Sequence, residues 1–434
     1  MRLQPLALAF CVTFATSPVA WAQMQLTSST APALESMSLG AGRQLVTKGL
    51  ASGLKLSDGA TLHAGLFADV GYDSNVFYDN ETPKTSPVMH ITPRLEITNA
   101  ERDGTIPSGT YYDVYGSLDF RRYLSSTREV TDQNATNVNL GGTAEFSSGQ
   151  ALSFFLSETF SRYQQAPYSP GAPITRDDNM VAASLMFAPG GGRLRVMLRY
   201  TNLIDKYEGS YDTGSNMGNE GVLDIGWRWL PRTTIYMQAA QGAITYFNSG
   251  TTGTSESTPL YASYPLRTLA GIRGLLTEKL SVNIAAGYNN AFYSGGDSSS
   301  GFGKIGIVTE VNYSLSVLSR FGLGYHHDFV NSPLLGGYYN IDAVYGAFQQ
   351  MVASRVVTYL FGRFEYRKFG SDTGRIDDNV TGGVALDYIM ARFLLAGASY
   401  SLNFNRTVQN SGSNSTPDTN YTKHTLLFRL GAVY

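Results

Sequence analysis

Cysteine is nearly absent from this chain of 434 residues, which contains only Cys11. Cys11 lies in a short apolar run that follows Arg2, and residues 20–22 (Ala-Trp-Ala) match a small-x-small cleavage site. This pattern predicts a secretory signal peptide over residues 1–22, because the run is too short and too poorly flanked for an uncleaved membrane anchor. The predicted mature chain, from Gln23, can then form neither a disulfide nor a thiolate metal site.

Charge is also scarce. Charged residues make up 15% of the chain, and the formal net charge is −2. Nucleic acid is therefore not expected as a partner, because neutralising its phosphates requires a basic surface. The five histidines are scattered along the chain, and we predict neither a metal site nor a cofactor.

Long apolar runs are the third absence. After residue 22, no stretch reaches the roughly 18 consecutive apolar residues that a membrane helix needs. The composition is nevertheless rich in Gly (46), Tyr (28) and Phe (22). A secreted chain whose hydrophobic residues occupy alternate positions is typical of a transmembrane β-barrel.

The alternation is clearest in the last strand candidate, residues 421–434. Leu426 and every second residue after it are apolar, whereas the other parity carries Lys423 and Arg429. Successive side chains of a strand point to opposite faces, so one face is apolar and the other polar. A terminal strand of this kind that ends on Tyr434 resembles the C-terminal assembly signal of bacterial outer-membrane β-barrels.

The same period extends back to Thr61 and predicts an all-β fold. Strand candidates of 12–15 residues exceed the five or six typical of soluble sheets, and short connections alternate with longer polar ones, as in outer-membrane barrels. We therefore predict a transmembrane up-and-down antiparallel β-barrel over residues 60–434, with about 18 strands and 16 as the alternative. Residues 23–59 lack the period and are predicted to be a periplasmic N-terminal tail, either tucked into the barrel mouth or disordered. The predicted strands are 60–73, 87–100, 110–123, 135–147, 150–163, 178–189, 192–206, 217–230, 233–247, 264–276, 279–293, 302–315, 319–330, 338–350, 354–368, 378–389, 392–405 and 421–434.

The polar parity of these strands is expected to line the lumen. Its charges have both signs in similar number, so selectivity for ions of one sign is not predicted. The charges either pair within the wall or contact the permeant. The predicted pore-lining residues are Asp69, Asp119, Arg121, Arg195, Arg199, Asp224, Arg228, Tyr236, Arg267, Arg273, Asp342, Tyr359, Arg363, Asp387 and Arg429.

Aromatic residues near the strand ends are predicted to form girdles at the two membrane interfaces, where amphipathic rings meet lipid headgroups. They are Tyr163, Trp227, Trp229, Phe247, Tyr288, Phe292, Tyr313, Tyr339, Tyr366, Tyr400, Phe404 and Tyr434.

One dense group of titratable residues, His326-His327-Asp328, raises the question of catalysis. His326 and Asp328 share a strand face and could orient each other. A hydrolase also needs a nucleophile within hydrogen-bond reach, and the sequence fixes no serine beside them. We predict that the protein is not an enzyme.

The segment 71–80 (GYDSNVFYDN) ends the first long strand with acidic and amide residues, a composition that favours an Asx turn. It also resembles an early motif of the putative β-barrel porin families, whose members often occur in bacterial exopolysaccharide loci. The resemblance implies an outer-membrane channel through which a secreted polysaccharide leaves the cell. Its implied partners are outer-membrane lipid, a carbohydrate polymer, periplasmic polysaccharide-export proteins and the barrel assembly machinery. A general solute-diffusion porin and a plugged structural barrel remain the alternatives.

Overall fold

The computed structural model describes residues 53–57, 59–100, 109–165, 173–247, 262–294, 303–316, 318–331, 338–369, 375–408 and 420–434. These ranges contain nineteen strands. The strands are β1 (Leu54–Ser57), β2 (Ala60–Asp73), β3 (Ser86–Thr98), β4 (Gly109–Tyr123), β5 (Ala135–Ser148), β6 (Leu152–Gln165), β7 (Ile174–Phe187), β8 (Leu194–Tyr207), β9 (Asn216–Leu230), β10 (Thr233–Tyr246), β11 (Leu266–Leu275), β12 (Leu280–Asn290), β13 (Gly303–Ser316), β14 (Ser319–Asn331), β15 (Tyr338–Val352), β16 (Val356–Phe369), β17 (Ile376–Ala391), β18 (Leu394–Val408) and β19 (Tyr421–Val433).

Eighteen of these strands, β2 to β19, form a closed antiparallel barrel in which each strand pairs with its neighbours in sequence. The ring closes where β19 pairs with β2, with Phe428 opposite Val70. The predicted fold class and the count of 18 are therefore confirmed. Each predicted strand end lies within four residues of an observed one.

The short strand β1 falls within the predicted tail. It pairs with the first residues of β2, with Leu54 opposite Leu62, and takes no place in the ring. The predicted signal peptide and residues 23–52 of the tail lie outside the described residues.

The barrel has an apolar outer face. On β12, for example, the outward Ile284 is 52% exposed, whereas Asn283 beside it is buried on the inner face. Large hydrophobic side chains are exposed in the same alternating way on β8, β9 and β19. An isolated soluble protein would bury these side chains, but hydrocarbon accommodates them without cost. This closed barrel with an apolar exterior is an outer-membrane protein.

The two ends of the barrel differ in their connections. At the short-turn end, strands are joined by as few as two residues, as between β9 and β10 or β17 and β18. At the long-loop end, the connections reach 19 residues between β10 and β11, residues 247–265. Such barrels have short periplasmic turns and longer extracellular loops, so the long-loop end faces outward from the cell.

In the described ranges, the helical segments are short: α1 (Arg128–Thr131), α2 (Pro189–Gly192) and a 3-10 helix (Gly209–Gly214). Among the described residues, no helix combines the length and the apolar character required to cross a bilayer.

The segment that carries the porin-like motif folds into the barrel mouth. The backbone N–H of Asn75 donates to Oδ1 of Asp73 at 2.9 Å, which is the Asx turn that the sequence indicates. Val76 and Phe77 are fully buried against inner-face residues of β3 and β4 and against α1. Their neighbours are Val88, Tyr123 and Val130, with Leu427 beside them. The motif therefore has a packing role at the long-loop end.

The same connection ends in a solvent-exposed turn. The Thr82 hydroxyl donates to Asp79 at 2.8 Å, and this hydrogen bond lowers the pKa of the Asp79 carboxyl below its usual value. The turn therefore keeps a negative charge at the barrel mouth in neutral water.

Candidate functional site

The inner wall of the barrel is the candidate site, because it contains almost all of the residues that the sequence assigns to the lumen. Strand register and burial place fourteen of the fifteen on the inner face. They are Asp69, Asp119, Arg121, Arg195, Arg199, Asp224, Arg228, Tyr236, Arg267, Arg273, Tyr359, Arg363, Asp387 and Arg429.

Asp342 is the exception, and its predicted lumen position is wrong. It lies opposite His327 and on the parity of Val344, which is 45% exposed on the outer face. There it accepts a hydrogen bond from the Tyr325 hydroxyl at 2.7 Å and lies 2.8 Å from Nδ1 of His327. The inner parity of β15 instead carries Ile341 and other apolar residues that pack on Phe369. The prediction for β15 assumes that polar side chains face the lumen. Because the inner face of β15 is apolar, the prediction assigns its two faces the wrong way round.

Two aromatic assignments to the girdles are also wrong. Tyr163 lies on the inner face, where its ring centre is 5.6 Å from the guanidinium of Arg176. Tyr339 is buried on the inner face and packs against Phe369, with ring centres 5.1 Å apart. Both rings cover guanidinium groups inside the barrel, since Arg367 also lies 5.7 Å from the Tyr339 ring. Near a strand end the sequence alone does not distinguish this role from a contact with lipid.

Most inner-face charges are neutralised by partners within the wall. Asp69 on β2 accepts two hydrogen bonds from Arg429 on β19, at 2.7 and 2.9 Å, across the seam that closes the ring. Asp224 on β9 accepts two from Arg273 on β11, at 2.7 and 3.0 Å, spanning the intervening β10. Similar pairs recur around the barrel: Arg94–Glu96, Arg176–Asp205, Arg363–Glu365, Arg367–Glu365, Arg375–Asp377 and Lys423–Asp73. The wall therefore presents little unbalanced charge.

Other predicted lumen residues are held by neutral groups. Asp119 accepts hydrogen bonds from Thr92 and Asn137 and lies 3.0 Å from Nδ1 of His90. Arg121 donates to the backbone carbonyls of Gln133 and Gln164. The partners of Asp119 come from β3 and β5, whereas those of Arg121 come from the β4–β5 connection and from β6, so each side chain is held from two directions.

The pair Asp224–Arg273 gives a direct test of wall pairing. We expect a double-mutant cycle of Asp224→Asn and Arg273→Gln to yield a coupling free energy of about 1–2 kcal/mol, since contacting charged groups couple while distant ones add independently. The measurement is urea unfolding of the barrel in detergent or lipid. The matched control combines Asp224→Asn with Arg429→Gln, on another part of the wall, and a coupling as large in that control would contradict the pairing.

At the long-loop end, β14 separates from β13. The β12–β13 ladder continues to Asn290 opposite Gly303, but the β13–β14 ladder ends at Ile307 opposite His327. The last residues of β14 remain paired with β15. The last residues of β14 are therefore not paired with β13. On the lumen side they contact β11 and β12 instead.

Arg267 on β11 holds this end in place. Its Nε donates to Asp328 at 3.0 Å, its Nη2 donates to the carbonyl of Phe329 at 3.0 Å, and its guanidinium lies 4.3 Å from the Phe329 ring centre. Asn289 on β12 donates to the same Asp328 carboxylate at 2.9 Å. We call Arg267, Asp328 and Asn289 the Arg267 cluster. It bridges strands that are three positions apart in the ring, and the sequence contains no signal for it.

Removing Arg267 should release this end. Arg267→Ala deprives Asp328 of its charged partner, and we expect the free energy of unfolding to fall by about 1.5–3 kcal/mol, the range for hydrogen bonds to charged groups. We also expect single-channel conductance to rise, because the freed hairpin end moves away from the lumen. Arg429→Ala, which breaks a pair between adjacent strands, should leave the conductance nearly unchanged. Equal conductance of the Arg267→Ala variant and the wild type would contradict the placement of this hairpin end against the lumen.

The histidine-rich triplet does not form a catalytic pair. His326 and Asp328 both face inward, but in the described part of the chain no hydrogen bond joins them, and Nδ1 of His326 is buried without a hydrogen-bond partner. Asp328 is engaged by Arg267, and His327 points outward to Asp342. The triplet thus contributes to two separate faces of the wall.

A sector of the inner wall carries neutral amides and hydroxyls. Asn379 and Thr381 on β17 lie beside Asn403 and Asn405 on β18, and all four are buried. Asn403 accepts a hydrogen bond from the Tyr421 hydroxyl at 3.1 Å. Such groups hydrogen-bond uncharged polar partners.

Comparisons with known proteins yield structural likeness at low identity. No family model and no curated protein sequence matches the chain. Among solved structures, the siderophore receptor PirA from Pseudomonas aeruginosa is similar at 8% identity and a TM-score of 0.41, over 86% of this chain and 80% of that one. A mutant of the ferric enterobactin receptor PfeA from Pseudomonas aeruginosa, in complex with enterobactin, is similar at 9% identity and a TM-score of 0.45, over 86% and 81%. The FrpB iron transporter from Neisseria meningitidis is similar at 10% identity and a TM-score of 0.44, over 86% and 65%. These values assign neither a family nor a cargo to this chain.

Proposed function

We propose that this outer-membrane barrel is a passage for an uncharged or weakly charged carbohydrate polymer, such as a secreted exopolysaccharide. The observation that carries the proposal is the pairing of inner-wall charges. Because acidic and basic side chains neutralise each other within the wall, as in Asp69–Arg429 and Asp224–Arg273, the described strands offer no ring of one sign to select ions.

The remaining inner-face groups suit sugars. Amides and hydroxyls on the inner face can donate to and accept from sugar hydroxyls, and Asn312 on β13 is one such residue that is only half-buried. Tyr359 adds half-buried aromatic surface on the same wall, on which the apolar face of a sugar ring can pack. The ring of Tyr236 is buried and lies 4.3 Å from the Arg273 guanidinium. Periplasmic export proteins would deliver the polymer at the short-turn end, and the barrel assembly machinery would insert the chain.

Planar-bilayer recording tests this function. The purified barrel should form channels with a potassium-to-chloride permeability ratio of about one, because the wall charges are balanced. Maltohexaose, a neutral oligosaccharide, should then block the current saturably. Channels that conduct but show no block at any maltohexaose concentration would favour a general solute-diffusion porin instead.

A plugged structural barrel is the second candidate. The burial of inner-face groups favours it, since Thr201 and Asn403 are both fully covered. Insertion without any conductance, with the barrel folded in the same membrane, would select this candidate over a passage.

A further inference from the structure

Four inner-face residues on adjacent strands share an unusual property. Ser157 on β6, Ser184 on β7, Thr201 on β8 and Glu220 on β9 are all buried, and among the described residues their side-chain oxygens have no hydrogen-bond partner. We call them the β6–β9 polar patch. The structure therefore gathers uncompensated oxygens in one part of the wall.

The strand register makes these residues one surface. Thr201 lies directly opposite Glu220, and Ser157 lies opposite Ala182, which in turn lies opposite Thr201. Facing residues on paired strands have Cβ atoms about 4.5–5.5 Å apart. Ser184 lies one inner-face position from Ala182 along β7. The oxygens of the patch can therefore contact a single ligand together.

Buried polar groups in proteins nearly always have a hydrogen-bond partner, so each exception calls for an explanation. Glu220 is the sharpest case, because neither carboxylate oxygen has a hydrogen-bond partner in the described part of the chain, while the residue is 1% exposed. A carboxylate in this state is costly to bury. Donors supplied by a ligand would remove that cost.

The surrounding charges decide the ligand class. Glu220 lies within electrostatic range of Arg199, Arg267 and Asp328. These four side chains carry two positive and two negative charges, so the site needs no additional cation. It needs neutral hydrogen-bond donors for the carboxylate and partners for the three hydroxyls, and a polyhydroxylated molecule supplies both.

We propose that the β6–β9 polar patch is a carbohydrate-binding site on the inner wall, at which the hydroxyls of a sugar donate to Glu220 and exchange hydrogen bonds with Ser157, Ser184 and Thr201. This assignment rests on the proposed function and names the residues through which the passage recognises its solute. Ala182 lies between Ser157 and Thr201 in this row and contributes only a methyl group.

The experiment compares maltohexaose block of the bilayer current in the wild type and in the triple variant Ser157→Ala, Ser184→Ala and Thr201→Val. Losing three hydrogen bonds should weaken the block by about tenfold or more. Glu220→Gln keeps one acceptor and should weaken it less than Glu220→Leu does. Ser117→Ala is the matched control, because Ser117 is an inner-face serine on β4, away from the patch.

Each outcome is decisive. A weakened block in the triple variant, together with wild-type block in Ser117→Ala, supports the site. Unchanged block in the triple variant, while the wild type is blocked, overturns the site and leaves the proposed function standing. Absence of block in the wild type overturns both. Heat-modifiable migration on a gel confirms that each variant is folded, and Thr201→Val alone replaces the triple variant if the latter does not assemble.

Discussion

A chain that lacks residues 421–434 should fail to assemble in the outer membrane. These residues contain β19, which pairs with β18 at twelve positions and with β2 at nine. Without β19, the facing edges of β18 and β2 expose unpaired N–H and C=O groups to hydrocarbon, where each such group costs several kcal/mol. We expect no protease-resistant barrel and no heat-modifiable band for this deletion.

The control for that experiment is deletion of residues 53–57. This removes β1, which pairs with the start of β2 but lies outside the ring. The barrel should assemble normally without it. Equal insertion of both truncated chains would contradict the role of β19 in closing the barrel.

A charge placed on the outer face at mid-membrane should be the most damaging single substitution. Ile284 lies near the middle of β12 and is 52% exposed outward. We expect Ile284→Arg to lower the free energy of unfolding by about 2–4 kcal/mol, because the guanidinium would sit in hydrocarbon. Urea unfolding in lipid vesicles measures this loss.

The matched control uses the same substitution near the membrane surface. Ile305 is also on the outer face, 64% exposed, and lies near the long-loop end of β13. Ile305→Arg should cost only about 0–1 kcal/mol, since the penalty falls towards the interface. Equal costs at the two positions would show that the depth assigned to β12 and β13 is wrong.

Alternation of side chains made most of the fold predictable. Strands such as β2 and β19 carry large apolar residues on one parity and charges on the other, so their two faces could be assigned directly. The assignment failed on β15, where Ile341 and Ala343 are buried inside the barrel and Asp342 faces outward. The two-residue alternation alone cannot show which face of a strand points into the barrel when the inner face is apolar.

The contacts that shape the lumen could not be predicted in the same way. The bond between Arg267 and Asp328 joins strands that are separated by β12 and β13, and it depends on where the β13–β14 ladder ends. Likewise, Thr201 and Glu220 become neighbours only through the register of β8 with β9. The spacing of residues in the sequence predicts neither contact, because the register between strands is set by many cross-strand contacts together.

The most direct test of the closed barrel is a disulfide across its final seam. Val70 on β2 and Phe428 on β19 face each other in the register, and the Cα atoms of such antiparallel pairs are about 4.5–5.5 Å apart, within disulfide range. In a chain with Cys11 replaced by Ser, the variant Val70→Cys, Phe428→Cys should form this bond on oxidation in the membrane. The resulting covalent ring should change migration on a denaturing gel until it is reduced. The pair Val70→Cys, His424→Cys, four residues out of register, should not react. Absence of the 70–428 bond in folded, membrane-inserted protein would contradict a closed barrel.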